Sequence, residues 1–343
     1  MNRLVSVVVV NLDGRPYLER CLAAVLGQTY RPLEAIFVDN GSTDGSADLV
    51  AERFPAVQVI RNAANVGFAA ANNQGIRAAN GHYVATLNND TEADRRWLEE
   101  LVRAAETDER VGSVASKMLF FDRPTVIISA GVCVDPVGIA WDRRGGETDT
   151  GQDDDLVEVF GPCAGAALYR RAMLDDVALR APGGEIEYFD EDYFIYLEDV
   201  DLAWRAQLAG WRCLYNPHAV VYHVHSATMV EGSPRKNYLL ARNKIWTLVK
   251  DYPARDLLLR LPLILLYDLG SVPYTVVARG QMAALQGRLA AIRQIRTAWR
   301  KRRAIQKRRR ASPSALSRAF TPLAPPWAVL RRYRHLRPTP DSK

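Results

Sequence analysis

Four groups of side chains have the residue types and spacing that chemistry requires. Segment 85–94, ATLNNDTEAD, leaves an apolar run on Asn88, Asn89 and Asp90. A carboxylate there either caps the next helix, a role Thr91 would share, or helps phosphate oxygens hold magnesium or manganese. Segment 37–46, FVDNGSTDGS, ends a second apolar run on Asp39. That acid either braces an Asx turn or accepts a hydrogen bond from a pyrimidine base or ribose hydroxyl. Segment 196–205, YLEDVDLAWR, gathers Glu198, Asp199 and Asp201. Two positions apart on a helix, Asp199 and Asp201 point in different directions. Asp201 precedes Arg205 by four residues, the spacing of an ion pair. Asp199 is either an N-cap or a general base whose pKa its acidic, aromatic neighbourhood would raise. In VVYHVHSAT (220–228), His223 and His225 share one face of a strand, as hydrogen-bonding residues or as ligands, with His223 favoured.

Alternating strands and helices must position these groups. The continuous β-branched run 4–10 reads as a strand buried on both faces, and helix 16–28 follows with Pro16 in its first turn. Strands at 33–39, 57–60, 82–87 and 111–118 alternate with helices at 47–53, after Gly67, and at 94–106. This order predicts an α/β fold with a doubly wound, mostly parallel sheet. In such sheets ligands bind beyond the carboxyl ends of the strands, where Asp39 and Asp90 fall. Region 122–160, rich in Gly, Asp and Arg, reads as a hairpin or loop, and a helix over about 199–209 closes at Gly210.

The chain has 343 residues, 48% of them apolar, enough for a full core. Its net charge of +6 conceals a division. Residues 251–343 hold 20 Lys and Arg against 4 Asp and Glu, whereas residues 1–250 hold 25 against 35. An acidic body of residues 1–250 thus carries a basic region whose charge suits a polyanion. Four separated cysteines in apolar surroundings suggest reduced thiols and a cytoplasmic setting. The N-terminal apolar run is too short for a signal peptide and reads as a strand. The first strand is not followed by G-x-G-x-x-G or a Walker lysine loop, which argues against a Rossmann dehydrogenase and a P-loop NTPase.

In order, VSVVVVNLDGRPYLERCLAAVLGQTY, FVDNGSTDGS, NVGFAAANNQGI, LNNDT, GPCAGAALYRR, FDEDYFIYLEDVDLAWR and VVYHVHSAT resemble the family 2 glycosyltransferases of the GT-A fold. The likeness is to the bacterial rhamnosyltransferase-like branch that builds surface polysaccharides. It implies that Asn11, Asp39, Asn65, Gly67, Asn72 and Asn89 surround a nucleotide-diphosphate sugar, with dTDP-rhamnose favoured among dTDP- and UDP-sugars. Asp90 matches the last acid of the family's metal motif, and Asn88 replaces the first. His223 or His225 would then be the second ligand to Mn2+ or Mg2+. Asp199 matches the catalytic base of inverting members and Glu198 its acidic neighbour. Leu12 stands where the family often has an aromatic residue.

Arg242, in the helical stretch 236–246, either meets the diphosphate or lies solvated. The apolar stretch 255–280 is too interrupted to span a bilayer, and residues 293–310 hold ten basic residues and no acid. Together they are expected to lie as interfacial helices on an anionic membrane, or to pack as a helical appendage with a basic tail. The expected enzyme is peripheral on the inner face of the cell membrane and takes a glycan or lipid-linked acceptor. Two rivals are a nucleotide-sugar-binding protein without catalysis and a nucleic-acid-binding protein. The acidic body and the lack of interleaved basic and aromatic residues argue against nucleic acid.

Overall fold

The computed structural model describes residues 2–224, 232–273, 276 and 280–325. Strands β1 (Val5–Asn11), β2 (Leu33–Asp39), β3 (Val57–Arg61) and β4 (Tyr83–Asn88) pair in parallel. Helices α1 (Arg15–Leu26), α2 (Ser46–Arg53) and α3 (Phe68–Ala78) connect them. Successive residues of a strand face opposite sides. Val7 and Val9 therefore pack with Leu18 and Leu22 of α1, while Val8 packs with Ala69 and Ile76 of α3. This two-sided burial explains the unbroken valine run.

After β4 the simple alternation ends. Strand β5 (Thr91–Ala93) comes first, and α4 (Trp97–Ala105) starts three residues later than the expected 94. Strand β6 (Val111–Phe120) is followed by β7 (Ile127–Ser129), a hairpin of β8 (Val132–Val134) and β9 (Ala140–Asp142), and β10 (Val157–Val159). The expected hairpin region is thus a set of short strands. Strand β11 (Ala166–Arg170) lies antiparallel between β4 and β6. It is followed by α5 (Arg171–Val177), paired strands β12 (Leu179–Arg180) and β13 (Ile186–Glu187), α6 (Glu198–Ala209) and β14 (Arg212–His223). The sheet order is β10-β14-β6-β11-β4-β1-β2-β3, with β5 on β14 and β7 on β6. Parallel β1 to β4 make one half, and the antiparallel β11 makes the sheet mixed.

Helices α7 (Pro234–Asp251), α8 (Ala254–Pro273), α9 (Ala283–Arg293), α10 (Ile295–Lys307) and α11 (Pro313–Ala319) complete the described chain. The expected boundary at residue 250 falls near the end of α7, yet the cores cross it. Ile305, Leu316 and Phe320 share a cluster with Trp204 of α6. Of the two expectations for the basic run, part of it packs as an appendage on the body. Lys301 is buried against Glu187 (2.8 Å), Asp190 (2.5 Å) and Asp192 (2.8 Å), and Arg302 donates to the carbonyls of Val249 and Tyr252. The acidic stretch 187–192 supplies the partners that a buried cation requires. Arg296, Arg300, Arg303 and Lys307 on α10 remain exposed. Among the described residues, no helix is long and apolar enough to cross a membrane.

Candidate active site

The carboxyl ends of β1, β2 and β4 open into a cleft of about 490 Å³ whose far wall is the start of α6. Asn11 and Asp39 are register partners on β1 and β2. The Asn11 amide donates to Asp39 Oδ1 (3.2 Å) and Ser42 Oγ (2.9 Å), and the Ser42 amide donates to Asp39 Oδ2 (3.2 Å). Asn89 donates to Asn11 Oδ1. Asp39 therefore braces a turn and a buried polar network behind the cleft wall. Asn40 and Asn65, hydrogen-bonded at 3.0 Å, reach the cleft itself. Asn72 donates back to the Phe68 carbonyl within α3 and takes no place in the cleft lining.

Gly67 has φ +97°, and a Cβ there would come within 2.7 Å of Phe194. Only glycine lets the 194–197 segment sit on the start of α3. That segment is strained, with Phe194, Tyr196 and Leu197 all at positive φ. Such backbone persists where neighbours over-determine it. Asn243, fully buried, donates to the carbonyls of Tyr193 (3.2 Å), Ile195 (3.1 Å) and Tyr196 (2.7 Å). Arg242 donates to the carbonyls of Asp192 and Tyr193, both at 3.0 Å, with its guanidinium over Trp246. Arg242, expected either to meet the diphosphate or to lie solvated, is instead bound to this loop and is absent from the cleft lining. A guanidinium held by two carbonyls and an indole is committed to the loop. Among the described residues, Arg235 and Lys236 bring positive charge to the cleft lining, over the rings of Phe194 and Tyr196. Ser233-Pro234 begins α7 and sets both in its first turn, a signal present in the sequence.

Asp90 and His223 meet. His223 Nε2 lies 2.9 Å from Asp90 Oδ1, both side chains nearly buried, and the Asn88 amide is 3.4 Å from the same ring nitrogen. Pairing of β5 with β14, His223 opposite Thr91, produces the approach. His225 lies outside the described residues. Among the described residues, no three His, Cys, Asp or Glu side chains group around one point. One carboxylate and one imidazole nevertheless fit manganese or magnesium, which take their remaining ligands from phosphates and water.

Asp199 projects from the first turn of α6 into the cleft and accepts hydrogen bonds from the amides of Ala164 (3.2 Å) and Val200 (2.8 Å). Leu197, not Asp199, is the N-cap residue. Burial raises the Asp199 pKa, partly offset by those amide bonds. Burial, and then the Asp199 charge, lift Glu198 well above the usual carboxylate range. Glu198 Oε2 is buried without a hydrogen-bond partner among the described residues. A proton held on Glu198 leaves Asp199 as the carboxylate that ionises first. As its spacing predicts, Asp201 faces away and pairs with Arg205 at 2.9 Å. Trp141 and Asp142 of β9 also line the cleft. Nothing in the glycine- and charge-rich region around them marked them beforehand.

The model of the family "Glycosyl transferase family 2" matches residues 6–178. A Mycobacterium tuberculosis protein described as N-acetylglucosaminyl-diphospho-decaprenol L-rhamnosyltransferase is 29% identical over 266 residues, which cover 71% of this chain and 83% of that one. Two solved structures share the fold. GalNAc-T7 with UDP, GalNAc and Mn2+ has a TM-score of 0.58 at 18% identity, covering 72% of this chain and 48% of that one. The mannosyltransferase PcManGT from Pyrobaculum calidifontis, with GDP-Man and Mn2+, has a TM-score of 0.51 at 20% identity, covering 98% and 81%. The fold is GT-A.

Proposed function

The chain belongs to glycosyl transferase family 2, and from that premise we propose an inverting transfer of rhamnose or a similar hexose from a dTDP- or UDP-sugar to a glycan or lipid-linked acceptor in cell-surface polysaccharide synthesis. The observation that carries this reading is that Asp199 faces the same cleft as the Asp90–His223 pair. Asp199 takes the proton of an acceptor hydroxyl while that oxygen attacks the anomeric carbon from the face opposite the nucleotide. The carbon–oxygen bond to the diphosphate breaks, and configuration inverts. A divalent cation bound by Asp90 and His223 would supply positive charge to the departing diphosphate. Arg235 and Lys236 add fixed charge to the cleft, and the Asn40–Asn65 pair offers amide groups toward the nucleotide.

The acceptor in the mycobacterial relative's name, a sugar on a lipid diphosphate, supports a lipid-linked acceptor for this chain. A peripheral position on the inner membrane face fits α8, which exposes Leu258, Leu259, Leu261, Leu265, Leu266 and Leu269 on one side.

The decisive variant is Asp199→Asn, assayed with dTDP-L-rhamnose and a short-chain prenyl-diphospho-N-acetylglucosamine. It keeps donor binding and loses transfer by roughly 10²–10⁴-fold. Transfer at the normal rate removes Asp199 from the base role.

A further inference from the structure

Trp141 and Asp142 line the cleft from β9, close to the acids of α6. The hairpin that carries them is firmly held. Val132, Cys133 and Val134 pair with Asp142, Trp141 and Ala140, and the Asp135 carboxylate accepts the amides of Val137 (3.0 Å) and Ile139 (2.9 Å) across its turn. Tyr252 donates to the Pro136 carbonyl (2.8 Å). Below the cleft, Val132 and Val134 pack with Val200, Ala203 and Trp204 of α6. Hairpin and base-bearing helix therefore form one rigid block. Arg143 and Arg144, next along the chain, are both clamped by Asp153.

The sheet order tells which end of the cleft this block serves. The network around Asp39 lies at β1 and β2, and Asp90 follows β4. Asp199 sits over the approach to β11, held by the Ala164 amide. The hairpin lies one step further, beside β7, which pairs with β6. Burial lifts the Asp142 carboxyl to about 6, opposed by a hydrogen bond from Ser129, raised further by Asp199 and lowered by Lys236 and His223. Asp142 therefore lies within reach of Asp199 as well as of Lys236 and His223.

We propose that the β8–β9 hairpin is the acceptor-sugar subsite, Trp141 stacking on the apolar face of a pyranose and Asp142 accepting hydrogen bonds from its hydroxyls. In-line displacement brings the acceptor from the side opposite the leaving nucleotide, and the hairpin follows β7 on β6 rather than the β1–β2 end that holds the Asp39 network. An aromatic ring beside a carboxylate fits a pyranose, which presents a C–H face and a rim of hydroxyl donors. Asp142 is thus a specificity residue, and the proton transfer stays with Asp199. This inference rests on the glycosyl-transfer reading above.

The test is steady-state kinetics of the full chain and of Trp141→Ala, Trp141→Phe and Asp142→Asn, with dTDP-L-rhamnose and short-chain prenyl-diphospho-N-acetylglucosamine, beside calorimetric titration of dTDP. Trp141→Ala and Asp142→Asn raise the acceptor KM about tenfold or more, while donor KM and dTDP affinity stay within about twofold. Trp141→Phe recovers most of the loss. An acceptor KM unchanged in both variants, or a donor KM that rises equally, overturns the subsite while leaving the transfer reading intact. A wild-type chain inert with every nucleotide sugar overturns the transfer reading itself, and the subsite falls with it.

Discussion

His223 Nε2 and Asp90 Oδ1 stand 2.9 Å apart, joined by the pairing of the short strand after the Asn88-Asn89-Asp90 turn with the last strand of the sheet. With Asn88 in place of a second acid, the protein offers the cation one carboxylate and one imidazole. Manganese should therefore bind more tightly when a nucleoside diphosphate supplies further oxygens. Calorimetry with and without dTDP reads this directly, and equal affinity in both would show the idea wrong. Loss of an outer-shell partner alone weakens metal sites about 10–100-fold. His223→Ala, which removes a direct ligand, should weaken nucleotide-dependent manganese binding by at least about tenfold, and chelation should abolish transfer.

Glu198 and Asp199 give a pH signature of definite sign. Both carboxyls titrate above their unfolded values because burial disfavours their charge. Between the unfolded and folded pKa values the folded state binds more protons, so this contribution to stability falls as pH rises. Glu198→Gln removes the Glu198 part of that dependence. The variant should melt above wild type at pH 7, with the gain shrinking as pH falls through that window toward the ordinary value of 4.5. A difference in melting temperature that does not change with pH would refute a raised Glu198. The acid limb of kcat/KM, reporting Asp199, should likewise lie above 3.8.

The parallel half of the sheet was legible because two-sided burial writes itself as unbroken apolar runs, as in VVVV at 7–10. The placement of Asp90, Asp199 and His223 at one cleft was legible because each stands at the end of a strand or the start of a helix, inside a recurring motif. Arg242 was left open between diphosphate and solvent for a physical reason. A sequence does not say whether a helical arginine turns toward solvent, ligand or backbone, and the strained 194–197 segment that claims it has no local signature. Trp141 and Asp142 were missed because their place depends on long-range packing of the hairpin on α6. Charge counting left Lys301 and Arg302 open between membrane and body, since a run of cations does not reveal which face meets buried acids.

Lys301 makes that last point measurable. It sits between Glu187, Asp190 and Asp192, while Arg300 beside it is exposed. Breaking a buried pair by removing one partner costs about 3–5 kcal/mol, because the opposite charge is left uncompensated. Lys301→Ala should lose about that much in urea unfolding. Arg300→Ala should stay within about 0.5 kcal/mol. Equal, small effects for both would mean that the basic helix does not dock on the body as described.

The exposed leucines of α8 provide the sharper test of membrane attachment, because they lie apart from the cleft lining and add little to the core. Leu258, Leu259, Leu265, Leu266 and Leu269 are each close to half exposed or more, a large apolar face for a protein surface. If that face enters the headgroup region, with Arg296, Arg300 and Arg303 meeting anionic lipid, attachment combines a salt-sensitive and a salt-resistant component. Changing Leu258, Leu265 and Leu266 together to Gln should remove most of the binding to phosphatidylglycerol-containing vesicles that survives high salt. Rates with a water-soluble acceptor and the melting temperature should stay near wild type. Cosedimentation across a salt series separates the two components. Undiminished binding by the triple variant at high salt would exclude the α8 face as the anchor.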